Sequence, residues 1–242
     1  MTRLQLRQRR DTRALFRDSV AVFGRHALLF ILLSAAVVAP AELIVEGIGL
    51  DMLTSSYDSS PSLAEAAIPT IVEFLVVTPI IAAICIHALH QIAGGERPSA
   101  GRVLVAGFEA FTPLFAAVTL AAAGIALGLL ALIVPGVYLA VRWYFVPQTV
   151  VIEGARGPQA LSRSSLLVTG FWWRTFGLVL LANVAVAIPA FVLLTPFTAI
   201  ADSTDHAVWA LVGSAVTTSV TTPFVAVYST LLYYDLLTRR SM

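Results

Sequence analysis

The stretch that decides the fold is Pro135–Gly154, PGVYLAVRWYFVPQTVVIEG, an apolar run interrupted by one arginine, Arg142. The rest of the chain has a similar composition, since 58% of its 242 residues are hydrophobic and only 12% are charged. Soluble domains carry about 25% charged residues. The chain therefore has too little charge to cover a water-facing surface, and its composition predicts an all-α, polytopic membrane protein.

Six apolar runs approach the length of about 20 residues that a membrane-crossing helix needs. The Pro135-Gly136 pair separates the third run from the fourth, which would otherwise merge, and so predicts a tight hairpin at that point. The predicted spans are Ala27–Val45, Ala66–Leu89, Pro113–Val134, Val137–Ile152, Arg174–Leu194 and Val208–Leu236. Residues 27–242 are thus predicted to form a six-helix membrane domain.

The arginines predict how these spans are oriented. All fifteen basic residues are arginine, and fourteen of them lie before the first span, after the sixth, or beside the second and fourth links. The links Glu46–Glu65 and Thr195–Ala207 contain none. The positive-inside rule then places both termini in the cytoplasm. The apolar run continues beyond Ala39-Pro40-Ala41, which argues against a cleaved signal peptide.

Three segments with an amphipathic pattern precede the first, third and fifth spans. They lie within residues 1–26, a basic cytoplasmic segment, and at Pro98–Phe111 and Pro158–Trp173. Each is predicted to form an interfacial helix followed by a membrane hairpin, which suggests parallel repeats over 12–90, 98–153 and 158–238. Any basic loop beside a membrane would give a similar pattern, so true repetition stays open.

The basic residues of these segments suggest a lipid partner. Each arginine near an anionic leaflet contributes about 1 kcal/mol of attraction. We therefore expect anionic lipids at the cytoplasmic face, although the same charges could serve only to enforce topology. The arginines expected to face the lipid surface are Arg13, Arg17, Arg25 and Arg163.

A set of motifs carries a resemblance to known proteins: Pro135–Trp143, Glu153, Ala160-Leu161, Arg163-Ser164, Gly170, Trp172 or Trp173, Arg174, Phe176-Gly177 and the ending Thr230–Leu236. Together with Gly95–Ser99, they make nearly the whole chain similar to a family of bacterial and archaeal membrane domains, which implies a bacterial or archaeal plasma membrane. That family includes the membrane domain fused to some glycerophosphodiester phosphodiesterases, and stand-alone relatives of unknown function. The resemblance implies six helices with interfacial segments on the cytoplasmic face. It does not imply phosphodiesterase activity, which in the fused proteins belongs to a separate soluble barrel, and it supplies no catalytic residues.

Arg142 lies within the predicted fourth span, about 8 Å from its outer end at 1.5 Å per residue. An arginine at a central membrane position costs about 2.5–3.5 kcal/mol, which pairing or snorkelling reduces. Glu73 and Glu42 lie at matching predicted depths. We therefore predict an intramembrane ion pair between Arg142 and Glu73, with Glu42 as the alternative partner. Such a pair could staple helices together, or it could form a gate or an anionic-ligand site.

Prolines and hydroxyl residues raise the alternative of an internal polar cavity. A proline lies inside every predicted span except the third, and proline bends a helix. The third span instead carries Gly124 and Gly128, a spacing typical of close helix packing. The candidate cavity residues are Asn183, Thr217, Thr218 and Thr221. Hydroxyl side chains also bond to the preceding carbonyls of their own helix, which would leave no wet path.

The sequence contains little that favours catalysis. His87 and His90, with Cys85 nearby, lack the further ligands that a convincing metal site needs. We find no nucleophile motif and no phosphate-binding glycine loop, so we expect no enzyme activity, cofactor or metal, and no nucleic-acid partner. The leading hypothesis is a membrane scaffold for an unidentified protein partner or for lipids. A small transporter or channel-like protein with a proline-bent cavity is the alternative.

Overall fold

The computed structural model describes residues 5–45, 67 and 70–241, and within them the chain is helical apart from short connections. This confirms the all-α class. The predicted link Glu46–Glu65 and the first residues of the second span lie outside the described residues. In chain order the helices are α1 (Thr12–Arg25), α2 (Ala27–Val45), α3 (Thr78–Ala93), α4 (Ala100–Glu109), α5 (Phe111–Ala131), α6 (Ile133–Arg142), α7 (Val146–Glu153), α8 (Pro158–Val168), α9 (Trp172–Thr204) and α10 (Ala207–Arg240).

The core is built around two helix segments that are buried on all sides. In α3 every residue from Pro79 to Leu89 except His87 is buried. In α10 every residue from Ala226 to Leu236 is buried. A helix buried around its whole circumference must be surrounded by other elements. Here α2, α4, α5 and α7 pack against α3, while α1, α2 and α9 pack against α10, which itself lies beside α3.

Among the described residues, five helices are long and apolar enough to cross a membrane, which fits a membrane protein. They are Ala27–Ile44, Thr70–Ala93, Phe111–Ala131, Trp172–Thr204 and Ala207–Arg240. The sixth predicted span, Val137–Ile152, does not form one helix. It is divided between α6, of 10 residues, and α7, of 8 residues. The prediction of six membrane-spanning helices is therefore not confirmed.

The break between α6 and α7 lies beside Pro147 and is stabilised by a serine of another helix. Pro147 has no N–H to donate to a preceding carbonyl, so a helix cannot pass through this position without losing a hydrogen bond. The carbonyl that loses this donor, that of Trp143, accepts instead from the N–H of Val146 at 3.1 Å. Ser164 on α8 supplies partners for two neighbouring groups: its Oγ accepts from the N–H of Phe145 at 3.1 Å and donates to the carbonyl of Arg142 at 2.8 Å. Irregular backbone at membrane depth is tolerated only where other protein groups satisfy it in this way.

The hairpin of α9 and α10 is longer than the sequence predicts. The predicted link Thr195–Ala207 is helical as far as Thr204, and Asp205 turns the chain in the left-handed conformation, with φ 54°. That prediction was wrong because Pro196, taken as part of a link, lies inside α9. Proline is tolerated within membrane helices. With 33 and 34 residues, the two helices are each about 50 Å long at 1.5 Å per residue.

The prolines occupy two different kinds of position. Pro40, Pro189 and Pro223 lie inside helices, as predicted. Pro147 instead lies in the first turn of α7, where the missing N–H costs little. Pro79 lies within the continuous helical stretch Thr70–Ala93, just after its π-helical turn. A π-helical turn, Glu73–Val77, immediately precedes α3.

The α5–α6 hairpin is closely packed at glycines. A Cβ added to Gly124 would lie 2.5 Å from the ring of Trp143, and one added to Gly128 would lie 3.0 Å from the Cα of Gly136. These contacts agree with the packing role that the glycine spacing predicts.

Candidate functional site

A buried carboxylate organises the end of α10. Asp235 is completely buried. Its Oδ1 accepts from the backbone N–H of Arg10 at 2.7 Å, and its Oδ2 accepts from Nη2 of Arg174 at 3.1 Å and from Nε of Arg239 at 2.9 Å. A carboxylate can be buried at tolerable cost only when it is paired and hydrogen-bonded in this manner. We call Arg10, Arg174, Asp235 and Arg239 the clasp.

The clasp ties the N-terminal segment, residues 5–10, to the bundle. The carbonyl oxygen of Arg10 accepts from Nη2 of Arg174 and from Nη2 of Arg239, each at 2.8 Å. Both guanidinium groups therefore bridge the Asp235 carboxylate and the Arg10 backbone. The Arg10 side chain is 2% exposed and donates to the carbonyl of Gln5 at 2.6 Å and to Asp18 at 3.2 Å. Arg10 thus serves as an internal anchor, unlike the exposed arginines of α1.

Further polar pairs connect α10 to its neighbours at the same end. Nε2 of His90 lies 2.6 Å from Oη of Tyr234, which links α3 to α10. Tyr233 donates to Glu153, and Glu153 lies 3.8 Å from Arg163, so α7 and α8 join the group. These side chains are engaged with one another, an arrangement suited to fixing helices in place rather than to holding a reactive group ready.

An open groove lies beside the clasp. It has a volume of about 340 Å³ and runs between the N-terminal segment and the end of α10, where it is lined by Arg7, Leu237, Thr238, Arg240 and Ser241. Thr238 and Ser241 donate their hydroxyl protons to the carbonyls of Tyr234 and Thr238. The guanidinium groups are therefore the groove's main donors, and they favour an anionic ligand.

Arg142 has a different environment from the predicted one. Its Nη1 donates to Oη of Tyr138 at 3.3 Å, and its guanidinium carbon lies 5.4 Å from the centre of that ring. Within residues 5–45, 67 and 70–241, the ion pairs do not include Arg142, so the predicted pair with Glu73 is not formed there. Because α6 ends at Arg142 and the Tyr138 ring stacks on Trp172, the charge is met by an aromatic surface.

The other candidate membrane residues do not converge on Arg142. Glu73 is exposed in the π-helical turn, whereas Glu42 accepts from Oγ of Ser214 at 2.9 Å and links α2 to α10.

The candidate cavity residues fall into two groups. Thr218 is buried and Thr217 has its hydroxyl oxygen buried, so both are turned towards the protein interior. Asn183 is exposed on α9 and donates to the carbonyl of Val179 at 2.8 Å, and Thr221 donates to the carbonyl of Thr217 at 2.8 Å. Asn183 and Thr221 therefore bond within their own helices and not across the α9–α10 interface.

The predicted lipid-facing arginines lie on the protein surface. Arg13, Arg17 and Arg25 are exposed on α1, whereas Leu15 and Ser19 of the same helix are buried. Arg163 on α8 is 55% exposed. Partial burial and the neighbouring Arg25 lower the pKa of His26 from its ordinary value, so His26 carries less charge near neutral pH than an ordinary histidine.

The sequence-based site residues did not include the clasp. The available signal was Asp235 itself, a single carboxylate at the end of an apolar run, since an ionisable residue in such a place needs a partner. Arg174 could have been proposed as that partner from its place at the start of the predicted fifth span. The contribution of Arg10 had no such signal, because it contacts Asp235 through its backbone.

Comparison with known proteins identifies the central part of the chain. No curated protein and no solved structure matches it. A family described as "Domain of unknown function (DUF7847)" matches residues 70–236, a region that contains Arg174, Asp235 and the break between α6 and α7. Because this match covers more than half of the chain, the protein belongs to the DUF7847 family.

Proposed function

We propose that this protein is a non-enzymatic integral membrane module that organises anionic lipids, and through them a protein partner, at the cytoplasmic face. The observation that carries the proposal is the clasp, which fixes the segment leading into the basic helix α1. Asp235 is completely buried, and its carboxylate holds that segment by accepting from the backbone N–H of Arg10. The exposed arginines of α1 are thereby presented from a fixed position.

The packing of α1 supports the same role. The rings of Phe16 and Phe23 lie 6.1 Å and 5.6 Å from the ring of Phe224 on α10. The helix is therefore held by aromatic contacts along one face, while Arg13, Arg17 and Arg25 are exposed. A helix with one apolar and one basic face, attached to a membrane bundle, is suited to lie at the headgroup level of an anionic leaflet.

The proposed topology keeps both termini in the cytoplasm. Residues 133–153 of α6 and α7 would together return the chain from the end of α5, although neither helix is long enough to cross alone. The resemblance to membrane domains fused to phosphodiesterases supports an accessory role, since in those proteins the chemistry belongs to another domain. The parallel repeats also stay a proposal, with the short helices α1, α4 and α8 each preceding a long one.

The test is lipid selection in nanodiscs that contain a mixture of anionic and zwitterionic lipids. The variant carries Arg13→Gln, Arg17→Gln and Arg25→Gln, and the readout is the anionic fraction among the lipids that stay bound after extraction. At about 1 kcal/mol per arginine, the three changes should weaken the binding free energy of anionic lipid by about 3 kcal/mol at low salt, and by less as salt is added.

The matched control removes the same charge elsewhere, at the exposed residues Arg97, Arg102 and Arg156. We expect the α1 variant to lose much more anionic lipid than this control. Equal losses in the two variants would mean that only net charge matters, and the proposed role of α1 would then be rejected.

The transporter hypothesis takes no specific support from the described contacts. Asn183 is exposed and bonds within α9, and Arg142 lies against an aromatic ring. The lipid-organising role is therefore the function that the geometry favours.

A further inference from the structure

We propose that the groove beside the clasp is a binding site for a phosphate group, carried by an anionic phospholipid headgroup or free in solution. The proposal rests on the lipid-organising role above, but it concerns a single site formed by residues outside α1. Its two cationic members are Arg7 and Arg240.

The charge around the groove favours an anion. The clasp and the groove together contain five guanidinium groups, from Arg7, Arg10, Arg174, Arg239 and Arg240. The carboxylates bonded to them are Asp18 and Asp235. Positive charge is therefore in excess at this end of the bundle, and an anion held between Arg7 and Arg240 would reduce it.

The donors needed for a phosphate are present. Within the described part of the chain, no ion pair or hydrogen bond holds the exposed guanidinium of Arg7. Arg240 donates from Nη2 to the carbonyl of Thr169 at 3.1 Å, which leaves its other N–H groups for a ligand. A planar guanidinium can donate two parallel hydrogen bonds to a phosphate, so two arginines suit one phosphate group.

One apolar wall indicates that the phosphate belongs to a lipid. Leu237 lines the groove together with the two arginines. A free phosphate ion has no apolar part to place against this side chain, whereas a phospholipid has a glycerol and acyl chains next to its phosphate. The site is therefore expected to bind anionic phospholipid more tightly than inorganic phosphate.

The clasp assembles the groove. Arg7 and Arg240 lie near opposite ends of the chain, and they face one groove because Arg10 is bonded to Asp235 and to Arg239. Damage to the clasp should therefore weaken ligand binding even when both groove arginines are intact.

The experiment is a titration of the full-length protein in neutral detergent, followed by native mass spectrometry. The probes are a short-chain phosphatidylglycerol, the phosphatidylcholine with the same chains, and inorganic phosphate. The variant carries Arg7→Gln and Arg240→Gln, and the charge-matched control carries Arg97→Gln and Arg156→Gln, two exposed residues outside both the groove and α1. We expect one saturable phosphatidylglycerol on the wild type and on the control, and an association constant at least tenfold lower for the groove variant.

The other measurements identify the source of the phosphate, and two single variants control for misfolding. Competition by inorganic phosphate would show that the phosphate group alone is sufficient, and lipid binding without such competition would show that the lipid body contributes as well. Arg7→Gln alone breaks no described hydrogen bond, so it should fold normally and still weaken binding. Asp235→Asn should weaken binding too.

Two results would overturn the site. These are the absence of saturable phosphatidylglycerol binding to the wild type, and equal binding by the groove variant and the wild type. Either result would leave the proposed role of α1 untouched, since that role is judged by the lipids retained in nanodiscs. Conversely, saturable binding that depends on Arg7 would support the groove site even if the α1 variant selected lipids as the wild type does and the proposed role of α1 were rejected.

Discussion

The clasp makes a quantitative prediction about Asp235→Asn. Asparagine keeps the size of the side chain and one oxygen that can accept from the N–H of Arg10, so the change removes mainly the negative charge. Removing one partner of a buried ion pair costs about 3–5 kcal/mol. The side chains of Arg174 and Arg239 are 27% and 23% exposed, so water can solvate them partly once the carboxylate is gone. We therefore expect the lower end of that range, about 3 kcal/mol, or roughly a 150-fold change in the unfolding equilibrium constant.

The assay is reversible unfolding in mixed micelles of a neutral detergent and dodecyl sulfate, followed by circular dichroism. Asp202→Asn is the matched control: this residue is exposed near the end of α9, and its replacement should change the free energy of unfolding by less than about 0.5 kcal/mol. A double variant with Arg174→Gln should be less destabilised than the sum of the single changes, because both remove the same pair. An Asp235→Asn protein within 0.5 kcal/mol of the wild type, or strict additivity, would refute the reasoning.

Three further predictions concern packing and topology. Ser164→Ala removes both hydrogen bonds that satisfy the break between α6 and α7, and we expect it to lower the free energy of unfolding by about 2–3 kcal/mol in the same assay. The control Ser203→Ala should leave that free energy almost unchanged. Gly124→Ala places a methyl group against a tryptophan ring and should lower the free energy of unfolding by about 1–3 kcal/mol. Gly177→Ala meets open space and should leave the stability unchanged or raise it by up to about 1 kcal/mol. Similar effects from the two changes would contradict the packing. Cysteines placed at Ala100 and at Ser203 should react with a membrane-impermeant thiol reagent from opposite sides of the membrane, and labelling of both from one side would reject the proposed topology.

The parts of the fold that were predictable depend on length and periodicity. The sequence predicts the helix Ala27–Val45 with the observed bounds, because a long apolar run has one way to satisfy its backbone in a membrane. It also predicts that α1 has a basic exposed side. These features are properties of neighbouring residues, so a single sequence contains them.

The break between α6 and α7 shows where such reasoning ends. An apolar run of the correct length predicts a membrane-crossing helix, and Pro147 alone does not exclude one, since several other helices of this protein contain proline. The break is stabilised by Ser164, which lies in another helix and bonds to the backbone of residues 142 and 145. Whether a serine from a distant segment reaches a break is a property of the tertiary structure.

The prediction for Arg142 rested on the same assumption of one continuous helix. Its depth was counted along a continuous fourth span, and Glu73 was chosen as partner because its counted depth matched. Once the span is divided at residue 143, that count no longer applies. The guanidinium group instead lies over Tyr138, which is one turn earlier in the same helix and could have been proposed from the spacing of four residues alone.

The clasp lies partly inside and partly outside the region that matches the family. Arg174 and Asp235 lie within the region that matches the DUF7847 family, whereas Arg7, Arg10, Arg239 and Arg240 lie outside it. The ion pair that joins the ends of α9 and α10 is thus part of the matched domain. The N-terminal segment binds to that pair mainly through the backbone of Arg10, which many residue types could supply. The lining of the proposed phosphate groove therefore lies outside the matched region, although its assembly depends on a carboxylate inside that region.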